Sequence, residues 1–197
     1  KTPLAERARF EARLREIKVV LIRTLISDQL AYVNIAKEWL TISDLNDIRR
    51  RKIGGGKIGG KSAGMLLAYR ILNTIASEEI RAHLHIPESY FLGADITYRF
   101  MSQNNLMHWN DQKYKTEDQI RQEYPQIRQD FESGAFPPDA LEKLSILLEH
   151  IGSQPLIVRS SNLLEDNFGT SFAGKYESHF CPNQGTLEQN LQDLTHA

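Results

Sequence analysis

Pro155-Leu-Ile-Val-Arg-Ser-Ser161 is followed by Glu165-Asp166 and then by Ser171-Phe-Ala-Gly174. An apolar strand that stops at an arginine and two serines, then enters a loop of small residues, sets cationic and hydrogen-bonding groups at a sheet edge where a phosphate can sit. That pattern points to nucleotide chemistry. Before it, Pro137-Pro-Asp139 opens a helix that runs through Ile151, because proline is preorganised for a first helical turn. After it come a strand from Lys175 to Phe180 and a helix from Thr186. Strands separated by helices read as a mixed α and β domain.

Further out, bulk properties bound the answer. A chain of 197 residues can bury roughly 70% of the surface its unfolded form exposes, enough for a core without staples. Lys plus Arg (24) nearly balance Asp plus Glu (25), for a net charge of −1. No global attraction for nucleic acid or anionic membrane follows, so any anion binding is local. The single cysteine, Cys181, excludes an internal disulfide and a Cys-rich zinc site, and reads as an idle thiol in a reducing, cytoplasmic protein. No run approaches the roughly 20 apolar residues of a membrane span. The six histidines are scattered without metal-motif spacing, and Trp39 and Trp109 read as packing groups, since no basic groove interleaves them. The chain begins with Lys1 and stops at Leu194-Thr-His-Ala197 within a helical pattern, and is read as an excised fragment.

Toward the N-terminus, Leu14, Ile17, Leu21, Leu25 and Ile26 recur at helical spacing, which predicts one long helix or two consecutive ones up to about Trp39. The first half is charge-rich and the second apolar, as suits a projecting end and a packed end. Ser43-Asp44 supplies a cap for a short helix through Ile48. The basic run Arg49 to Lys52 reads as a linker or an outer rim rather than a nucleic-acid contact. A boundary is placed here, giving a helical extension over residues 1–50 and a second domain over 51–197. The glycines from Gly54 to Gly60 demand a loop. Lys61 to Ile75 reads as an amphipathic helix with Met65, Leu66, Tyr69 and Leu72 on one face, and Tyr90-Phe-Leu92 as a short strand. Asp95 to Met101 begins a turn or helix, Thr116 caps a run through Tyr124, and Pro125 opens another through Phe131.

Gly55-Gly-Lys-Ile-Gly-Gly-Lys-Ser62 fits the formal P-loop pattern, in which backbone N–H groups wrap phosphates while Lys and Ser reach the terminal phosphate and magnesium. Its context argues against that, because Ile48-Arg-Arg-Arg-Lys-Ile53 is too polar for a central strand. A P-loop NTPase stays as the lesser alternative, to be abandoned if no strand stands immediately before Gly55.

Taken together, Gly59-Gly-Lys-Ser-Ala-Gly64 before a helix, Ile86-Pro87 before a short aromatic strand, the insert with Gly134-x-Phe-Pro-Pro138, and the stretch from Val158 through Glu165-Asp166 to Gly174 resemble a known pattern. It is that of the N-terminal ATP-binding domain of phosphoenolpyruvate synthase and pyruvate phosphate dikinase, over about residues 53–197. The resemblance implies an α+β fold: the first, N-terminal subdomain of an ATP-grasp-like nucleotide-binding domain, here with a helical N-terminal extension. It implies a kinase, a transferase that moves a phosphoryl group from ATP to a histidine on another domain and then to pyruvate or a related acceptor. Carried over, Lys61 contacts ATP phosphate oxygens and Arg159 clamps the transferring phosphate, as the catalytic pair. Ser171, Phe172, Ala173 and Gly174 cover the phosphates with backbone N–H groups, Ser178 adds a hydroxyl, and Gly59, Gly60 and Ser160 complete the ATP-binding set. Mg²⁺ is implied with ligands outside this chain, on the second ATP-grasp subdomain. That subdomain and the phosphorylatable histidine domain are the implied partners; no nucleic acid or membrane partner is implied, and a homo-oligomer is compatible. Two departures stand out: Glu88 and Ser89 where the family has a further proline and glycine, and Lys175 where it has glutamine. The alternative from another class is a non-catalytic nucleotide-sensing or scaffold module whose N-terminal helices bind a partner.

Overall fold

The computed structural model describes residues 10–162 and 176–197. The elements run α1 (Glu11–Leu25), α2 (Leu30–Trp39), α3 (Ile42–Arg50), β1 (Lys52–Ile53), α4 (Gly60–Ile75), α5 (Glu78–Ala82), β2 (Phe91–Leu92), α6 (Asp95–Gln103), a 3-10 helix (Met107–Tyr114), α7 (Glu117–Glu132), α8 (Pro138–Ile151), β3 (Leu156–Arg159), β4 (Ser178–Cys181) and α9 (Leu187–His196). The fold is α+β and dominated by helix, with two two-stranded sheets among the described residues: parallel β1–β2 and antiparallel β3–β4. The contacts divide the chain into two compact units. One spans residues up to Gly93 with Ser160–Glu177; the other spans Ala94–Arg159 with Ser178–Ala197.

In the first unit the apolar spacing of the N-terminal segment becomes two helices rather than one, broken at Ile26 to Gln29. Ser27 and Asp28 mark the break: Ser27 is buried, and its hydroxyl accepts the Gln29 N–H (3.2 Å). The next helix is capped by Thr41 rather than Ser43. The Thr41 hydroxyl accepts the Asp44 N–H (3.2 Å) and the Asp44 carboxylate accepts the Thr41 N–H (2.7 Å), a reciprocal capping box. Ile22, Ile26, Leu40, Leu45, Ile48 and Ile58 are fully buried, each contributing roughly 1.5–3 kcal/mol relative to exposure. They form one cluster with Ala63, Leu66, Leu67 and Phe91, so residues on both sides of position 50 share an apolar core.

That packing selects a different face of α4 from the one the sequence suggests. Ala63, Leu66 and Leu67 are buried, whereas Leu72 is exposed and Met65 and Tyr69 are only half-buried. The face is set by what meets it: the buried Tyr32 hydroxyl donates to the Ala63 carbonyl (3.1 Å), and burial pushes the Tyr32 phenol pKa up.

In the second unit, Pro125 does not open a helix but sits inside α7. It is exposed, and without an N–H it leaves the Arg121 carbonyl without its usual helical partner. Thr116 and Gln119 form the capping box expected at its start. Phe100 packs against Phe131 and Phe136 at ring-centroid distances of 5.8 and 5.3 Å. Gly134 lies against this cluster so closely that a Cβ there would meet Phe100 Cζ at 2.3 Å. Gly134→Ala is therefore expected to lower unfolding free energy by about 1–3 kcal/mol through overpacking. Urea denaturation measures it, and a midpoint equal to the parent's would refute the packing argument.

Candidate nucleotide site

The glycine loop is built before it reaches the site. Gly54 takes a φ of 90°, a left-handed conformation that glycine adopts without Cβ strain. Lys52 Nζ donates to the Gly55 carbonyl (3.0 Å) and the Gly56 carbonyl (2.5 Å), Lys57 pairs with Asp28, and the Ile58 N–H donates to the Leu25 carbonyl (3.0 Å). The ammonium of Lys57 holds the Asp28 carboxyl below its usual pKa. A strand does precede Gly55, but as one edge of a two-stranded sheet and not as the central strand that a P-loop follows. It is the two-residue β1, paired with β2 through Lys52↔Phe91 and Ile53↔Leu92.

The loop delivers the chain to Gly59, the N-cap of α4. Here the two sequence motifs, about a hundred residues apart, meet. The Gly60 N–H donates to the Asn162 carbonyl (3.2 Å) and the Ser62 N–H donates to Ser161 Oγ (3.0 Å). The Ser161 hydroxyl in turn donates to Ser62 Oγ (2.9 Å). Two of the four N–H groups that a helix start leaves unsatisfied are thereby paired. Gly59 is buried, and a Cβ at its position would fall 1.0 Å from the Ser161 carbonyl oxygen. Only glycine admits that approach. Lys61, at the second position of α4, is half-buried, and so is Ser160. Asn162 Nδ2 donates to the Tyr176 hydroxyl (3.1 Å).

In the second unit, β3 and β4 pair with Arg159 directly opposite Ser178. Both residues are exposed, and opposed residues of a ladder share one face. An extended guanidinium side chain and a hydroxyl on one open face form a donor set suited to an oxyanion. Ser171, Phe172, Ala173 and Gly174, with Glu165, Asp166 and Lys175, lie outside the described residues. Among the described residues no group of three or more His, Cys, Asp or Glu side chains converges to hold a metal ion. Cys181 is buried with its thiol pKa pushed up, first by burial. None of the described helices is long and apolar enough to cross a membrane.

The segment from the glycine loop to α9, residues 56–196, matches the family model for the AMP/ATP-binding domain of pyruvate phosphate dikinase. The chain belongs to this family. No curated protein and no solved structure matches it. Membership in a pyruvate phosphate dikinase-type family makes the nucleotide the ligand and a kinase the class of the protein that carries such a domain. Sequence reasoning named Gly59, Lys61 and Arg159 as candidate site residues and did not foresee the contacts of Ser161 and Asn162 with Ser62 and Gly60. The available signal was the doubled serine after Arg159: a hydroxyl just past a strand end is free to cap a helix that arrives from elsewhere.

Proposed function

We propose that this chain is the ATP-loading part of a phosphotransferase of the phosphoenolpyruvate synthase type, an ATP-grasp-like subdomain that presents the terminal phosphoryl group to a histidine on another domain. The observation that carries the reading is the docking of Ser161 and Asn162 on the start of α4, which supports treating the glycine and arginine motifs as parts of one function. Lys61 acts as a point charge on ATP phosphate oxygens, and Arg159 engages two oxygens of the transferring group at once. Ser178 supplies a hydroxyl from the strand opposite Arg159. Gly59 and Gly60 contribute by admitting close backbone approach, and Ser160 and the run from Ser171 to Gly174 complete the phosphate cover. Such groups suit phosphoryl transfer, which needs fixed positive charge more than covalent help. Pyruvate or a related acceptor takes the phosphoryl group after the histidine.

The test is ATP binding by calorimetry on the full-length protein. Lys61→Ala is expected to weaken it by about 1.5–3 kcal/mol, the range for a hydrogen bond to a charged group. Equal affinity in variant and parent counts against the assignment. A second reading, a non-catalytic nucleotide sensor with partner-binding N-terminal helices, draws on Phe10, Leu14 and Ile17, which are exposed and share a stripe along α1. ATP binding without ATP-dependent histidine phosphorylation would favour that sensor.

A further inference from the structure

The assignment of Arg159 and Ser178 to phosphate leaves the other end of the nucleotide without a partner, and the same sheet face supplies one. Side chains two apart on a strand point the same way. The pair next to Arg159↔Ser178 on that face is therefore Ile157↔Phe180. Phe180 is 79% exposed and Ile157 49% exposed. On the opposite face, Cys181 is buried, Leu156 and Val158 are half-buried and His179 alone is exposed, so that face is the more covered of the two. An uncharged aromatic ring and a branched aliphatic side chain in register, one step from a guanidinium, match a ligand that joins a flat apolar ring to an anion.

We propose that Phe180, with Ile157 beside it, is the platform on which the purine ring of the nucleotide stacks, the phosphates running along the strands toward Arg159 and Ser178. The step between the two pairs is roughly 7 Å, a separation that a ribose can bridge. Every nucleobase has a π-face, so stacking on phenylalanine supplies affinity while the cation holds the phosphates. This inference rests on the reading of Arg159 as a phosphate ligand.

Calorimetry on the full-length protein separates the two claims, with ATP and inorganic tripolyphosphate, which lacks a base, as probes. Phe180→Ala is expected to weaken ATP binding about tenfold and leave tripolyphosphate binding unchanged. Phe180→Tyr, which keeps the ring, is expected to bind ATP within twofold of the parent. Arg159→Ala is expected to weaken both probes. Should the alanine variant not fold, Phe180→Leu keeps apolar volume, loses the ring and is expected to weaken ATP binding several-fold. Unchanged ATP affinity in a folded Phe180→Ala protein, or an equal loss for both probes, overturns the platform while leaving the reading of Arg159 intact. If Arg159→Ala changes neither probe, the phosphate reading falls and the platform with it.

Discussion

Replacing Gly59 by alanine is expected to lower the stability of this chain by about 3–5 kcal/mol and to disable nucleotide binding with it. The cause is steric and local. The new Cβ would sit 1.0 Å from the Ser161 carbonyl oxygen, 2.0 Å from its carbon and 2.6 Å from its Oγ. Two of these are backbone atoms, so no rotamer change relieves the contact. Either Ser161 and Asn162 leave the start of α4 or the helix start moves, and in both cases the bonds at Gly60 and Ser62 are lost. Overpacking of this kind costs about 1–3 kcal/mol or more, and each lost bond adds roughly 1 kcal/mol. For a chain of this size the Tm falls by roughly 10 °C. Gly64 supplies the control on the same helix: a Cβ there meets nothing within 4 Å. Gly64→Ala is expected to be neutral or to stabilise by up to about 1 kcal/mol, through helix propensity. Thermal denaturation of the two variants side by side decides the matter, and a Gly59→Ala protein that melts with the parent would contradict the docking.

The contrast between these glycines shows what was legible in the sequence and what was not. Both lie in one motif, Gly59-Gly-Lys-Ser-Ala-Gly64, and nothing in the sequence separates them. Their difference is a tertiary fact, since the neighbour that crowds Gly59 comes from Ser161. Local signals carried well where the cause was local. Thr116 and Thr186 cap the helices they precede, Pro138 stands at the start of α8, and the glycine run is a loop. Signals failed where a distant partner decides. Periodicity placed Met65, Leu66, Tyr69 and Leu72 on one face of α4; Leu66 is buried as expected, but the N-terminal helices bury Ala63 and Leu67 with it rather than Met65, Tyr69 and Leu72. Pro125 reads as a helix start because its ring clashes with the preceding turn, but the flanking residues carry α7 through it. At the candidate site, residue type and motif single out Lys61 and Arg159. The capping by Ser161 and the pairing of Arg159 with Ser178 were not legible, because register is invisible until the strands are aligned.

Arg159→Ala is expected to lower phosphoryl transfer in the full-length protein by on the order of 10²-fold or more, with the fold intact. Arg159 is the last residue of β3, and its register with Ser178 fixes the backbone from which the guanidinium extends. A donor held by a sheet ladder needs little reorganisation as negative charge spreads over the transferring group. Removing one such preorganised donor costs about 10²- to 10³-fold in turnover, which is about 2.7–4 kcal/mol of barrier. Because the side chain is exposed, its loss opens no cavity, and Tm should stay within the small range usual for surface substitutions. Arg159→Lys refines the expectation. It keeps the charge and loses the two-pronged fork, so it should recover ATP binding more fully than turnover, which separates charge from geometry. Single-turnover measurement of histidine phosphorylation, beside ATP affinity by calorimetry, reads both quantities. A folded Arg159→Ala protein that transfers phosphate at the parent rate would remove Arg159 from the chemistry and leave its pairing with Ser178 as sheet structure alone.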